Sequence, residues 1–122
     1  SACPPLEKLA RLVAAHLAPI DTMPDYVRVF INERRYLPTA SRRRIGRKSR
    51  RIERFFEHVI LAGIADGSIR PGADARLAML AVLGMCNAVI NWREADRARD
   101  MDRVAAEFAS LIANGLVANG SG

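Results

Sequence analysis

The sequence predicts an all-α domain of five helices, and three observations support this. Apolar residues recur at helical spacing along nearly the whole chain. No segment alternates with a period of two, and no Asn-Gly turn joins β-branched segments, so strands are not predicted. At 122 residues the chain has the length of one domain, and its 50% hydrophobic content can fill a core.

Prolines bound the first two predicted helices. The first is expected from about residue 4 to residue 17, where Pro19 ends it. One face of this helix carries the apolar residues Leu6, Leu9, Val13 and Leu17. The second is expected to open at Thr22, whose hydroxyl would cap a first turn that contains Asp25, and to end before Pro38.

The third predicted helix is the longest, from about residue 40 to residue 66, and it has two contrasting faces. The apolar stripe consists of Ile45, Ile52, Phe56, Val59 and Gly63. The opposite face consists of Arg43, Arg44, Arg47, Arg50, Arg51 and Arg54. Gly46 disfavours the helix locally and predicts either a kink or a later start.

The last two predicted helices are apolar enough to need more than one packing partner. Asp74 is expected to cap a helix that ends near Trp92, and Asp100 one that ends near Val117. The first of these is apolar almost all round, so one side is expected to line a core cavity and the other to contact a second subunit. Together they are predicted to form half of an intersubunit four-helix bundle. The predicted interface residues are Ala105, Phe108, Ala109, Ile112 and Ala113.

Composition excludes several classes of protein. Two cysteines are too few for a disulfide framework and no signal segment is recognised, so a reducing, cytoplasmic setting is expected. No apolar run is expected to reach the roughly 18 residues that span a bilayer, so no membrane partner is predicted. Zinc-ligand spacing and a glycine-rich phosphate loop are both missing from the sequence. The sequence therefore predicts no enzymatic activity, no metal site and no cofactor.

The basic residues are concentrated in one segment. Residues 42–54 include eight basic residues and one acidic residue, a net charge of +7, so the rest of the chain sums to −1. Such a face could neutralise nucleic-acid phosphates, hold the phosphates of an acyl-CoA-type ligand, or simply be solvated. No aromatic residue stands among these arginines before Phe55, so base stacking is not indicated. One interpretation is therefore a small basic helical protein that binds nucleic acid through the Arg43–Arg54 face.

Four segments carry a resemblance to a known family: PLEKLARLVAAHL, DYVRVFINERRYL, RRIERFFEHVILAGIADGSIRPGADARLAMLAVLGMCNAVINW and VAAEFASLIANGLV. In order and content, from Leu6 to about Val117, they resemble the C-terminal ligand-binding and dimerisation domain of tetracycline-repressor (TetR) family transcriptional regulators. The resemblance implies that residues 1–122 form one effector-binding and dimerisation domain of a regulator, expected to be a repressor. It also implies that operator DNA is bound only by an N-terminal helix-turn-helix domain that this sequence lacks, so the chain is expected to be part of a longer protein.

The resemblance further implies a homodimer whose small-molecule effector shifts the spacing of two DNA-binding heads. Asn87 and Trp92 resemble a feature of subgroups that respond to fatty-acid, acyl-CoA or steroid-derived metabolites. Arg47, Arg51 and Arg54 are candidate phosphate contacts. The cavity is expected among the first four helices, and its predicted lining is Val13, His16, Leu17, Tyr26, Phe30, Phe56, Val59, Leu83, Asn87 and Trp92. The alternative for each of these residues is a place in a plain core.

Overall fold

In the computed structural model, residues 3–118 are described and form an all-α fold, which confirms the predicted fold class. The five α-helices are α1 (Pro5–Thr22), α2 (Pro24–Arg28), α3 (Thr39–Asp66), α4 (Ala75–Trp92) and α5 (Met101–Leu116). A π-helical turn (Val29–Glu33) and a 3₁₀ turn (Arg34–Tyr36) connect α2 to α3.

Helix α1 does not end at Pro19, as the sequence predicted, but continues to Thr22. The reason is tertiary: Ile20 is buried in the core, so packing holds the last turn in place. The carbonyl of Pro19 accepts the N–H of Met23 at 2.7 Å, which closes the helix. Proline near a helix end removes only one hydrogen bond, and core packing can offset that loss.

Thr22 is not the cap of a second helix, and this prediction was wrong. Its Oγ1 donates to the carbonyl of Ala18 at 3.4 Å, so the residue completes α1. Helix α2 starts after Met23 without a side-chain cap and has only five residues. The π turn follows α2 directly. In this turn, Asn32 Nδ2 donates to Asn91 Oδ1 of α4 at 2.9 Å. This contact ties the irregular segment to the helix beneath it.

Helix α3 runs without interruption through Gly46 and ends at Gly67, which adopts a left-handed conformation with φ of 87°. Of its predicted apolar stripe, Phe56 and Gly63 are buried and Ile45, Ile52 and Val59 are half-buried, while Ile60 beside the stripe is also buried. Phe55 lies on the flank and is exposed. Both predicted aspartate caps are confirmed, since Asp74 accepts from the N–H of Leu77 and Asp100 from that of Asp102, each at 3.1 Å.

The central element of the fold is α1, which packs against α3, α4 and α5. The buried face of α5 lies mainly against α1. A short β-bridge between Ile69 and Val117 fastens the α3–α4 loop to the end of α5. The core therefore runs along α1, and its residues on that helix are Leu9, Val13, Leu17 and Ile20.

Helix α4 corrects the expectation that no apolar segment has the length of a membrane span. Its 18 residues have a mean hydropathy of 1.4 and meet that criterion. One such helix is weak evidence for a span, because the core helix of a globular domain has the same composition. Burial in the core accounts for the apolar residues on one side of α4. The buried residues of this helix are Met79, Val82, Leu83, Cys86, Val89 and Ile90.

The close approach of Ile69 to Gly63 yields a stability prediction. A Cβ at Gly63 would lie 2.5 Å from Ile69 Cδ1 and 3.2 Å from Pro5 Cβ. We therefore expect Gly63→Ala to lower the free energy of unfolding by about 1 to 3 kcal/mol in urea denaturation, because overpacking displaces the Ile69 loop. Gly46→Ala, in the same helix and 3.4 Å from only the flexible end of Arg50, is the control and should stabilise the protein slightly. Equal stability of both variants would contradict the prediction.

Candidate ligand-binding cavity

An open cavity of about 260 Å³ lies between α1, the α2–π segment, α3 and α4. We call it the central cavity. Its wall is almost entirely apolar, as is typical of small-molecule sites. The lining residues are Leu12, Ala15, His16, Pro19, Ile20, Tyr26, Val27, Phe30, Ile31, Lys48, Ile52, Phe55, Phe56 and Asn87.

A histidine–asparagine pair provides polar groups in this apolar wall. His16 Nε2 lies 2.8 Å from Asn87 Oδ1, and since an amide oxygen only accepts, the histidine donates. The His16 ring also packs edge-on against Phe56, with centroids 5.9 Å apart and planes at 81°. Within residues 3–118, Nδ1 of His16 and Nδ2 of Asn87 form no further hydrogen bond. One acceptor and one donor therefore remain for a bound molecule.

A lysine–tyrosine pair forms the charged part of the wall. Lys48 Nζ donates to Tyr26 Oη at 3.1 Å and lies 5.1 Å from the centre of the Tyr26 ring. The Tyr26 ring in turn lies 6.1 Å from that of Phe30. Lys48 is the charged residue of the lining, and both it and Tyr26 are exposed. The wall thus pairs an apolar surface with one solvent-accessible positive charge.

The structure brings half of the predicted lining together. His16, Tyr26, Phe30, Phe56 and Asn87 all line the central cavity. The other five predicted residues lie elsewhere. Val13 and Leu17 are fully buried in the core, and Val59 packs against it. Leu83 lines a neighbouring cavity of about 200 Å³, and Trp92 lines a groove beside α5. A molecule in the central cavity would therefore not touch Val13 or Leu17, because these side chains fill the space between helices.

Sequence reasoning missed much of the α3 wall. Lys48, Ile52 and Phe55 lie on the same face of α3 as the predicted Phe56, and this helical spacing was the signal that could have identified them. Ile31 was missed for another reason. It lies in the π turn, whose wider winding places it beside Phe30 on the cavity wall, and the sequence predicted an ordinary helix there.

The three arginines predicted as phosphate contacts do not line the central cavity. Arg47, Arg51 and Arg54 are exposed, and none of them forms an ion pair within residues 3–118. The cation that lines the cavity is instead Lys48, which belongs to the basic segment 42–54.

The predicted intersubunit residues lie along α5, at different depths. Ala105 and Ile112 are 8% and 7% exposed because they pack inside the chain, while Phe108, Ala109 and Ala113 are half-buried. Two grooves of about 490 and 430 Å³ lie between α4 and α5, and together we call them the α4–α5 groove. Ile112 lines one part and Phe108 the other.

Exposed apolar residues beside the α4–α5 groove were missed. Leu77 of α4 and Leu111 of α5 both line it and are 63% and 61% exposed. Leu111 lies between Phe108 and Ile112 in the sequence of α5, and its place beside these two predicted interface residues was the signal. The wall of the groove is completed by the small residues Ala78, Ala81 and Gly115.

Little in the described part of the chain points to metal or thiol chemistry. No group of three or more His, Cys, Asp and Glu side chains within residues 3–118 is placed to hold a metal ion. Burial raises the pKa of the Cys86 thiol to about 11, so this cysteine stays protonated and serves as a core residue.

Comparison with known families agrees with this architecture. The family described as "Tetracyclin repressor-like, C-terminal domain" matches residues 2–116. A search of curated proteins and a search of solved structures found no match. Domains of this family are regulatory and, in general, dimerise and bind small-molecule effectors. The chain belongs to the tetracycline-repressor-like family and is a C-terminal ligand-binding and dimerisation domain of a regulator of that family.

Proposed function

We propose that the central cavity binds a hydrophobic effector with an anionic head, of the fatty-acid or acyl type, and that this effector releases a repressor from its operator. The observation that carries the proposal is the lining. Its apolar wall would hold a hydrocarbon body, while Lys48 and the free amide of Asn87 would hold a carboxylate.

Helix α1 is the element through which effector binding would change the affinity for DNA. Five of its residues line the cavity: Leu12, Ala15, His16, Pro19 and Ile20. The helix runs as one rod of about 27 Å from Pro5, where a helix-turn-helix domain outside these residues would be attached. An effector that binds one position of α1 better than another shifts the populations of the two positions, and in a dimer this changes the spacing of the DNA-binding heads.

The test is calorimetric titration of the chain with octanoate and with octanol. We expect both to bind, and Ala15→Trp to abolish binding of both because Ala15 lines the cavity and an indole there would occupy its space. Ala14→Trp is the matched control, since Ala14 is equally exposed on α1 but does not line the cavity. If the two tryptophan variants bind octanoate equally well, the ligand site lies elsewhere.

The anionic head is tested separately through Lys48. Lys48→Gln should weaken octanoate binding about tenfold, because a charge-assisted hydrogen bond is lost, and should leave octanol binding almost unchanged. Equal losses for both molecules would show that Lys48 contributes through its hydrocarbon stem and not through its charge.

We further propose that the chain forms a homodimer through the α4–α5 groove. The support is the exposed apolar surface of Leu77 and Leu111, which a single chain leaves open to water. Two such grooves facing each other would form the four-helix bundle that the sequence predicts.

A further inference from the structure

Six arginines form a straight band on the solvent side of α3, and we call it the arginine stripe: Arg43, Arg44, Arg47, Arg50, Arg51 and Arg54. At 100° per residue they fall within about 120° of the helix circumference. Around the axis of α3, the centre of this sector lies roughly 120° from the centre of the sector that lines the central cavity. The stripe is therefore a separate surface from the proposed effector site.

The charges of the stripe are not neutralised within the described chain. All six side chains are exposed, and none of them forms an ion pair within residues 3–118. The segment carries a net charge of +7, while the rest of the chain sums to −1. A row of like charges on one helix face destabilises that helix, so the row is explained better by an external anion than by folding.

We infer that the arginine stripe binds the phosphate backbone of duplex DNA, without reading its sequence. The band is about 16 Å long, at 1.5 Å per residue, and one DNA strand offers about five phosphates over that length. Guanidinium groups match phosphate oxygens through paired hydrogen bonds.

Two observations favour duplex DNA over other polyanions. Aromatic side chains are missing from the stripe, so the stacking that single-stranded nucleic acid needs is not available. The apolar face of α3 is buried, with Phe56 and Ile60 in the core, so the helix cannot insert that face into a lipid surface. This inference goes beyond the proposed function, since the stripe would bind DNA whether or not the cavity is occupied.

The experiment is fluorescence anisotropy of the 122-residue chain with a random-sequence 20-base-pair duplex, between 25 and 200 mM KCl. The test variant combines Arg43→Gln, Arg47→Gln, Arg50→Gln and Arg54→Gln. The matched control combines Lys8→Gln, Arg11→Gln, Arg28→Gln and Arg97→Gln, all exposed or part-exposed residues outside α3. Both variants lose four charges from the formal +6, so they have the same net charge. Glutamine is nearly as good a helix former as arginine, which protects the fold.

We expect the wild type to bind DNA with a steep salt dependence. In the test variant, the slope of log K against log salt concentration should be smaller in magnitude by about 3 to 4, because four phosphate contacts are removed. The control should change the slope by less than one. Equal changes in the two variants, or no binding by the wild type, would overturn the inference. Tighter association with anionic phosphatidylserine vesicles than with DNA at equal salt would also overturn it. Octanoate titration of the test variant should be unchanged, which keeps this result separate from the effector proposal.

Discussion

Replacing Asp21 with asparagine is expected to lower the free energy of unfolding by about 2 to 4 kcal/mol, because it leaves a buried guanidinium without its counter-charge. Arg93 is only 6% exposed, and its Nε and Nη2 donate to the two carboxylate oxygens of Asp21 at 2.7 and 2.8 Å. Its remaining nitrogen donates to the carbonyls of Asp96 and Arg99. The Arg93 side chain, at the end of α4, thus bonds both to the end of α1 and to the loop before α5.

The control for this prediction is Asp25→Asn. Asp25 pairs with Arg28 at 3.4 Å, but its side chain is fully exposed, so we expect a change within about 0.5 kcal/mol. The double variant Asp21→Leu with Arg93→Met should lose less than Asp21→Asn alone, because no charge is left buried. Urea denaturation measures all three. A loss for Asp21→Asn no larger than that of the control would mean that water replaces the carboxylate.

The same ion pair predicts how stability depends on pH. The hydrogen bonds from Arg93 lower the pKa of Asp21 below its ordinary value of 3.8. A lowered pKa in the folded state gives stabilisation that is complete above pH 3.8 and is lost as the pH falls through the lowered pKa. The wild type and Asp21→Asn should therefore differ at pH 7 and converge in strong acid. A difference that stays constant down to pH 2 would contradict this assignment.

Replacing Leu111 with aspartate is expected to convert the proposed dimer into a monomer. Leu111 is 61% exposed in one chain, so the substitution should leave the fold intact while it places a charge in the α4–α5 groove. A buried, unpaired carboxylate costs about 3 kcal/mol, which raises the dimer dissociation constant roughly 100-fold. Sedimentation equilibrium across a concentration series measures the effect.

Leu61→Asp is the matched control for the dimer, since Leu61 lies on α3 and is 50% exposed. It should leave the dissociation constant unchanged. A charge at Ala109 is also expected to disrupt the dimer, but Ala109 is half-buried, so that variant would also disturb the packing of α5 within the chain. A dimer that survives Leu111→Asp and dissociates with Leu61→Asp would place the interface on α3 instead.

Local sequence features determined the parts of this protein that depend on one helix at a time. The spacing of Leu9, Val13 and Leu17 predicts the buried face of α1, and this face is confirmed. Asp74 and Asp100 predict where α4 and α5 begin, because a cap needs only its own first turn. The order of segments also sufficed for the family, which the match over residues 2–116 confirms.

Tertiary structure alone decided which residues of different helices meet. Pro19 would end an isolated helix, yet the burial of Ile20 carries α1 past it. The His16–Asn87 pair joins residues 71 positions apart, and the Asp21–Arg93 pair joins residues 72 apart, so neither leaves a mark in local periodicity. A helix pattern shows which face is apolar but not whether that face meets the core, a cavity or a second chain. The free energy of burial depends on the area removed from water and not on which neighbour covers it, so only the packed helices distinguish Val13 in the core from Phe30 in the cavity wall.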